Sequence, residues 1–143
     1  MPYIKVMVHL IWSTKNREMT ISKKLKPLLL QHILQNAENK NIYIDQINCV
    51  QDHCHCLISL RASQSISKVA FLLKGESSRW INKNNLSFGK FEWQDEYIAL
   101  SVSESQIPVM RKYIKNQEEH HRNRTFTEEY DLFLKKYGFE YSG

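Results

Sequence analysis

Apolar residues recur along this chain with two different periods, and the switches between them mark out the elements. From Tyr3 to Trp12, β-branched and aromatic residues occupy both parities, which predicts a first strand covered on both faces. Ser22 stands in a capping position ahead of Leu25, Leu28, Leu29, His32, Ile33 and Ala37, which follow helical spacing, and Pro27 is tolerable near such a helix start. This helix is expected to end around Asn39 to Asn41. Ile42 to Val50 and His53 to Leu60 read as extended, with Gln51-Asp52 as the turn that makes them a hairpin. Val69, Ala70, Leu73, Ser77, Trp80 and Ile81 mark one face of a second helix that begins at Ile66 and runs out in the polar stretch Asn82 to Asn85.

Tyr97 to Val102 predicts one more short strand. A third helix opens near Ser103 or Ser105, carries Pro108 early, and turns Ile107, Met110, Ile114 and His121 inward. Thr127 with Glu128-Glu129 reads as the cap and acidic first turn of a short last helix at about 127–138, stopped by Gly138. The order strand, helix, strand, strand, helix, strand, helix resembles a ferredoxin-like α+β sandwich, an antiparallel sheet with helices packed on it. Such a fold hosts many activities, so function has to come from side chains.

Composition narrows the picture only in part. At 143 residues, 42% of them hydrophobic, residues 1–143 are expected to form a single domain with a real core, and no Pro/Gly/Ser linker or internal repeat divides them. No apolar run reaches the ~20 residues of a membrane helix, and no secretory leader is evident. A soluble cytoplasmic protein is the expectation. Cys49, Cys54 and Cys56 are odd in number and clustered, which fits a reducing compartment better than a secreted disulfide framework. Net charge of +5 favours an anionic partner. With four glycines and no G-x-x-x-x-G-K-[ST] loop, a nucleotide cofactor is not expected. The aspartates are too scattered for a two-metal carboxylate cluster. If DNA is cut here, another nucleophile is needed.

The most informative segment is Asp52-His53-Cys54-His55-Cys56-Leu57-Ile58-Ser59-Leu60. In a strand, Cys54, Cys56, Ile58 and Leu60 share a face that can bury against helices, which turns His53 and His55 together to the other face. Imidazoles two residues apart, with Cα atoms about 7 Å from each other, can aim ring nitrogens at one divalent ion. A pair of surface histidines beside two buried thiols is the alternative. A zinc site from the three cysteines lacks the paired CxxC spacing and would sit on the wrong face.

The second segment is Arg111 to Arg122. On a helix, Tyr113 and Gln117 stack at i and i+4 with His120 continuing the row, beside the apolar stripe. A half-buried packing tyrosine is the ordinary role there. Arg111, Lys112, Lys115, Arg122 and Arg124 make the stretch basic, as a phosphate-facing helix would be, although Glu118 and Glu119 also fit a solvated charged face.

The ordered set Trp12-Ser13-Thr14-Lys15-Asn16-Arg17, Asp52-His53-Cys54-His55, Leu73-Lys74-Gly75 with Ser78-Arg79, and Tyr113-Ile114-x-Asn116-Gln117 resembles the single-tyrosine HUH transposases of small bacterial insertion sequences, the TnpA type. Cys54 and Cys56 depart from the bulkier aliphatic residues usual in that family. The resemblance implies that His53, His55 and Gln117 bind Mg²⁺ or Mn²⁺ and that Tyr113 attacks the phosphate of single-stranded DNA. It implies a 5′-phosphotyrosine, a free 3′-hydroxyl, and later rejoining, so that the phosphodiester energy is conserved. Forming the phenolate at pH 7 costs about 4 kcal/mol, and no general base is evident.

By the same resemblance, the DNA ends are hairpins and the protein is a homodimer whose tyrosine helix completes the partner's histidine site. Lys15, Arg17, Lys74 and Arg79 are candidate phosphate contacts, and Trp80 or Trp93 candidates for base stacking. An insertion-sequence enzyme is expected ahead of a repeat-associated relative, a replication-type nickase, or a non-catalytic hairpin-binding protein.

Overall fold

The computed structural model describes residues 2–119 and 125–137. Its elements are β1 (Val6–Ser13), α1 (Leu25–Asn39), β2 (Tyr43–Cys49), β3 (His53–Leu60), α2 (Ile66–Lys83), β4 (Ile98–Val102), α3 (Ile107–Lys115) and α4 (Phe126–Tyr137). The four strands form one antiparallel sheet in the order β2-β3-β1-β4, the ferredoxin-like arrangement, with β3 and β1 in the centre. Both central strands are buried on both faces, as the mixed parity of β1 predicts.

One face of the sheet carries Val8, Leu10, Trp12, Cys54, Cys56 and Ile58, packed against Leu25, Leu29, Ile33 and Ala37 of α1 and Val69, Leu73 and Ile81 of α2. The helices are set by local signals. Ser22 Oγ accepts the Leu25 N–H at 3.0 Å, and Ser65 Oγ accepts that of Lys68 at 3.1 Å. Each of the two helices stops at an asparagine with positive φ, Asn41 and Asn85. The following N–H groups, of Ile42 and Leu86, reach back to Ala37 and Ile81, which closes a Schellman-type end. Leu28 departs from the expected inner stripe and stands 42% exposed, because the buried row runs strictly through Leu25, Leu29, Ile33 and Ala37. The indole of Trp80 lies flat on His32, ring centroids 4.1 Å apart, and Trp93 is buried with its Nε1 donating to Ser77. Both tryptophans thus have packing partners within the chain.

The opposite face carries Met7, His9, Ile11, His53, His55 and Leu57, covered by α3 and α4. Ile107 and Ile114 of α3 pack on Met7 and Leu57. A short 3₁₀ turn, Glu104–Gln106, precedes α3. The expected inner residue His121 lies outside the described residues. The helix ends at Lys115, and Asn116 interrupts it before a helical stretch from Gln117 to Glu119. The last helix begins one residue earlier than expected. Its cap is Thr125 rather than Thr127: Thr125 Oγ1 accepts the Glu128 N–H at 3.2 Å and donates its own proton to the Glu128 carboxylate at 3.1 Å.

Two contacts fix α3 against β2. Asn48 Nδ2 donates to the carbonyls of Ile114 and Lys115, at 2.9 and 3.1 Å, occupying acceptors that a helix end leaves unpaired. Asp45, at the register shift between Ile44 and Gln46, takes the Arg111 guanidinium on both carboxylate oxygens, at 2.8 and 2.7 Å. Cys49 and Cys54 face each other across the hairpin and are joined by a disulfide, while Cys56 is a separate buried thiol. The three sulfurs thus form no thiolate cage, and the bridge is a pairing that their spacing alone did not announce.

Asn48→Ala strips the last carbonyls of α3 of their donor, and urea unfolding is expected to show a loss of about 1–3 kcal/mol. An unchanged midpoint would mean that α3 is held without this cap.

Candidate active site

Strand period and hairpin position place the two histidines. His53 is the first residue of β3 and follows Asp52 of the tight turn; His55 is two residues on, so both rings share the face covered by α3 and α4. Neither is a surface histidine, since both are fully buried. His53 Nδ1 donates to Asp52 Oδ1 at 2.8 Å. Asp52 is in turn tied down by Thr14, whose N–H donates to its carbonyl at 2.8 Å, so the Trp12 to Arg17 segment braces the turn that presents His53.

His55 lies between two groups that no short-range pattern brings to it. Its Nε2 is 2.9 Å from Glu129 Oε1, a carboxylate only 3% exposed on the first turn of α4. Its Nδ1 is 2.8 Å from Nε2 of His9 in β1. His9 is diagonal to His55 across the strand pair, because the register sets His9 against Leu57 and Ile11 against His55. Burial, and secondarily the nearby His55, push the His9 imidazole well below its usual pKa, so His9 is neutral at pH 7.

His53, His55 and Glu129 offer donor atoms within 4.8 Å of one another, and all three side chains are buried. A metal ion can be held there. Two imidazole nitrogens and one carboxylate oxygen can ligate a divalent cation, and a buried carboxylate beside imidazoles supplies charge opposite to its own.

Tyr113 projects from α3 toward this cluster. Its ring lies edge-on to His55, with centroids 5.5 Å apart, and to His9, at 6.1 Å. It is half-buried and also packs in the cluster of Met7, Leu57, Ile107 and Ile114, so the packing role and a place beside the histidines coexist. Gln117 is buried, and its Nε2 donates to the Tyr113 carbonyl at 2.9 Å across the break at Asn116. The i to i+4 relation between them thus survives the end of α3.

Among the candidate phosphate contacts, Lys15 and Lys74 line one open cleft of about 740 Å³ between α2 and residues 90–97, together with Phe71, Trp93 and Tyr97. Their charges are already engaged. Lys15 pairs with Glu92 at 2.9 Å, and the Lys74 ammonium donates to the carbonyls of Gln94, Asp95 and Glu96. Arg79 stands apart, on Glu76. Arg17 does different work: Nη1 donates to Thr127 Oγ1 at 2.7 Å, and its guanidinium lies over the Tyr130 ring at 5.0 Å, so it docks the helix that carries Glu129.

His9, Asp52 and Glu129 were not among the site residues expected from sequence. The signal for His9 was a polar residue of the right parity in an otherwise apolar strand. For Asp52 it was adjacency to His53. Glu129 had only its place in an acidic first turn, which the helix dipole explains without a ligand role.

Comparison with known proteins follows this geometry. The family model described as "Transposase IS200 like" matches residues 3–117. The chain is 27% identical over 114 residues to the ISDra2 transposase TnpA of Deinococcus radiodurans, covering 76% of this chain and 81% of that protein. Among solved structures it is similar to a Deinococcus radiodurans R1 chain assigned as a transposase, with a TM-score of 0.65, 24% identity, and 81% and 93% of the two chains covered. It is also similar to the REP-associated tyrosine transposase bound to a REP hairpin, with a TM-score of 0.64, 15% identity, and 85% and 72% covered. At these identities the two structural likenesses establish the fold.

If Glu129 completes the trio, Glu129→Ala lowers Mn²⁺ affinity by more than about tenfold, the loss that even an outer partner of a metal ligand causes, in an electron paramagnetic resonance titration. A larger loss in Gln117→Ala than in Glu129→Ala would instead return the third position to Gln117.

Proposed function

This chain belongs to the IS200-like transposase family, and we propose that it cleaves and rejoins single-stranded DNA by a metal-dependent route in which Tyr113 is the nucleophile. The observation that carries this reading is the convergence of Tyr113, 5.5 Å from His55, on the buried cluster of His53, His55 and Glu129. Tyrosine and histidines come from elements far apart in sequence, and a mere packing arrangement gives no reason to bury a carboxylate beside two imidazoles.

His53, His55 and Glu129 would hold Mn²⁺ or Mg²⁺, with Gln117, next to the tyrosine, able to complete the set. Bound there, the cation supplies positive charge that polarises the scissile phosphate and favours the phenolate. The phenol oxygen of Tyr113 attacks phosphorus, the bond from phosphorus to the 3′-oxygen breaks, and that oxygen leaves as a 3′-hydroxyl. The 5′-phosphate stays on Tyr113, and a 3′-hydroxyl later displaces the tyrosine in the reverse sense, so no nucleotide cofactor is consumed. Packing of Tyr113 on Met7, Leu57 and Ile114 limits its rotamers, which reduces the entropy lost on reaching an attack geometry.

The substrate in this reading is a hairpin-bearing element end, in line with the hairpin held by one structural relative. The cytoplasm, where such DNA forms, is the proposed place of action. Among the described residues no helix is long and apolar enough to cross a membrane. The tyrosine stands beside the histidines of its own chain, so each chain is taken to use its own Tyr113, within a homodimer whose other contacts bring two DNA ends together.

Incubation with a labelled single-stranded element end and Mn²⁺ should give a covalent protein–DNA adduct that is lost in Tyr113→Phe and in His55→Ala. Mixing those two inactive variants should leave adducts absent. Adducts regained on mixing would show that α3 serves the partner's histidines instead. Hairpin binding without any adduct, across varied element ends, would favour a non-catalytic DNA-binding protein.

A further inference from the structure

We propose that His9 is a positioning residue of the metal centre: its Nε2 accepts the Nδ1–H of His55 and so keeps the Nε2 lone pair of His55 directed at the cation. The inference rests on the metal reading above and adds a residue to it. Its basis is the way the two candidate ligands are engaged on their far sides.

A neutral imidazole has one N–H and one lone pair. Both histidines turn the same atom, Nδ1, away from the ligand cluster: that of His53 toward Asp52 Oδ1, and that of His55 toward His9 Nε2, each at 2.8 Å. Ligation through Nε2 leaves the proton on Nδ1, and a buried N–H there requires an acceptor. Asp52 meets that need for His53. His9 meets it for His55, provided that its own proton sits on Nδ1 and its Nε2 lone pair faces His55.

The sheet leaves little freedom in this pair. His9 and His55 are diagonal neighbours on adjacent central strands, both fully buried, with ring planes inclined by 28° and centroids 5.0 Å apart. A near-coplanar arrangement puts the Nε2 lone pair of His9 along the Nδ1–H direction of His55. His55 Nε2 lies 2.9 Å from Glu129 Oε1, the third group of the cluster. With Nε2 given to a cation, the His55 proton would sit on Nδ1, and His9 is able to accept that bond, because an imidazole can either donate or accept at Nε2.

The test uses the full chain and two substitutions. His9→Gln can place a carbonyl oxygen near the position of Nε2, whereas His9→Leu fills the space without an acceptor. Mn²⁺ titration followed by electron paramagnetic resonance should show about 10- to 100-fold weaker binding in His9→Leu, and largely restored binding in His9→Gln. In the Mg²⁺-loaded wild type, long-range ¹⁵N–¹H spectra should read His55 as the Nδ1–H tautomer. Wild-type affinity in a folded His9→Leu, or an Nε2–H tautomer of His55 with the cation bound, overturns the proposal. Should His9→Leu fail to fold, the hydrogen bond itself decides it in the Mg²⁺-loaded wild type: a ¹⁵N–¹⁵N coupling across it from His55 Nδ1 to an unprotonated His9 Nε2 supports the proposal, and a proton on His9 Nε2 overturns it. Failure of the wild type itself to bind Mn²⁺ is a separate outcome, which removes the metal reading underneath.

Discussion

Two imidazoles on the second face of β3, both withdrawn from water, each have two ring nitrogens to satisfy, and much of the molecule is arranged around that demand. A leucine in either place would need only volume. A histidine needs directed partners, and they arrive from three separate parts of the chain: Asp52 from the hairpin turn, His9 from the neighbouring strand and Glu129 from the last helix. The sheet supplies the rigidity. Backbone ladders on both sides of β3 fix where each ring starts, which a loop could not do.

The helices divide their work by face. Helices α1 and α2 close over the cysteine face and form the main apolar core, a task that asks only for periodic apolar residues and sound caps. Helices α3 and α4 close over the histidine face, where the apolar clusters are smaller and directed polar contacts carry more of the attachment. Asn48 and Asp45 hold α3, and Arg17, through Thr127 and the Tyr130 ring, holds α4. Polar attachment fits an active site, because it fixes orientation as well as proximity.

Charge behaves differently from what its distribution in sequence suggests. All four basic residues singled out as phosphate contacts have partners inside the chain, and Arg17 and Lys74 brace structure. Exposed pairs of this kind are weak and salt-screened, so Lys15 and Arg79 can exchange a carboxylate for a phosphate at small cost. Lys74 is less free to do so. Its ammonium is partly buried and spread over three carbonyls, and leaving them would strand acceptors in the 94–96 segment.

What the sequence determined by itself was most of what local period governs, with Leu28 and the cap of α4 as the exceptions. The alternation in Asp52 to Leu60 assigned thiols to one face and histidines to the other; the helical rows in α1 and α2 assigned the core; Gln51-Asp52 marked the hairpin turn. The segment around Tyr113 and Gln117 was legible as a candidate, though family resemblance rather than spacing raised it above a packing residue. The tertiary structure decided the companions of those residues. The diagonal of His9 to His55 depends on the register between β1 and β3, and the reach of Glu129 depends on where α4 docks. Neither is encoded in spacing along one element. Register and docking follow from which apolar faces bury together across the whole chain, and so the ligand pair was visible in one strand while the groups that orient and complete it were not.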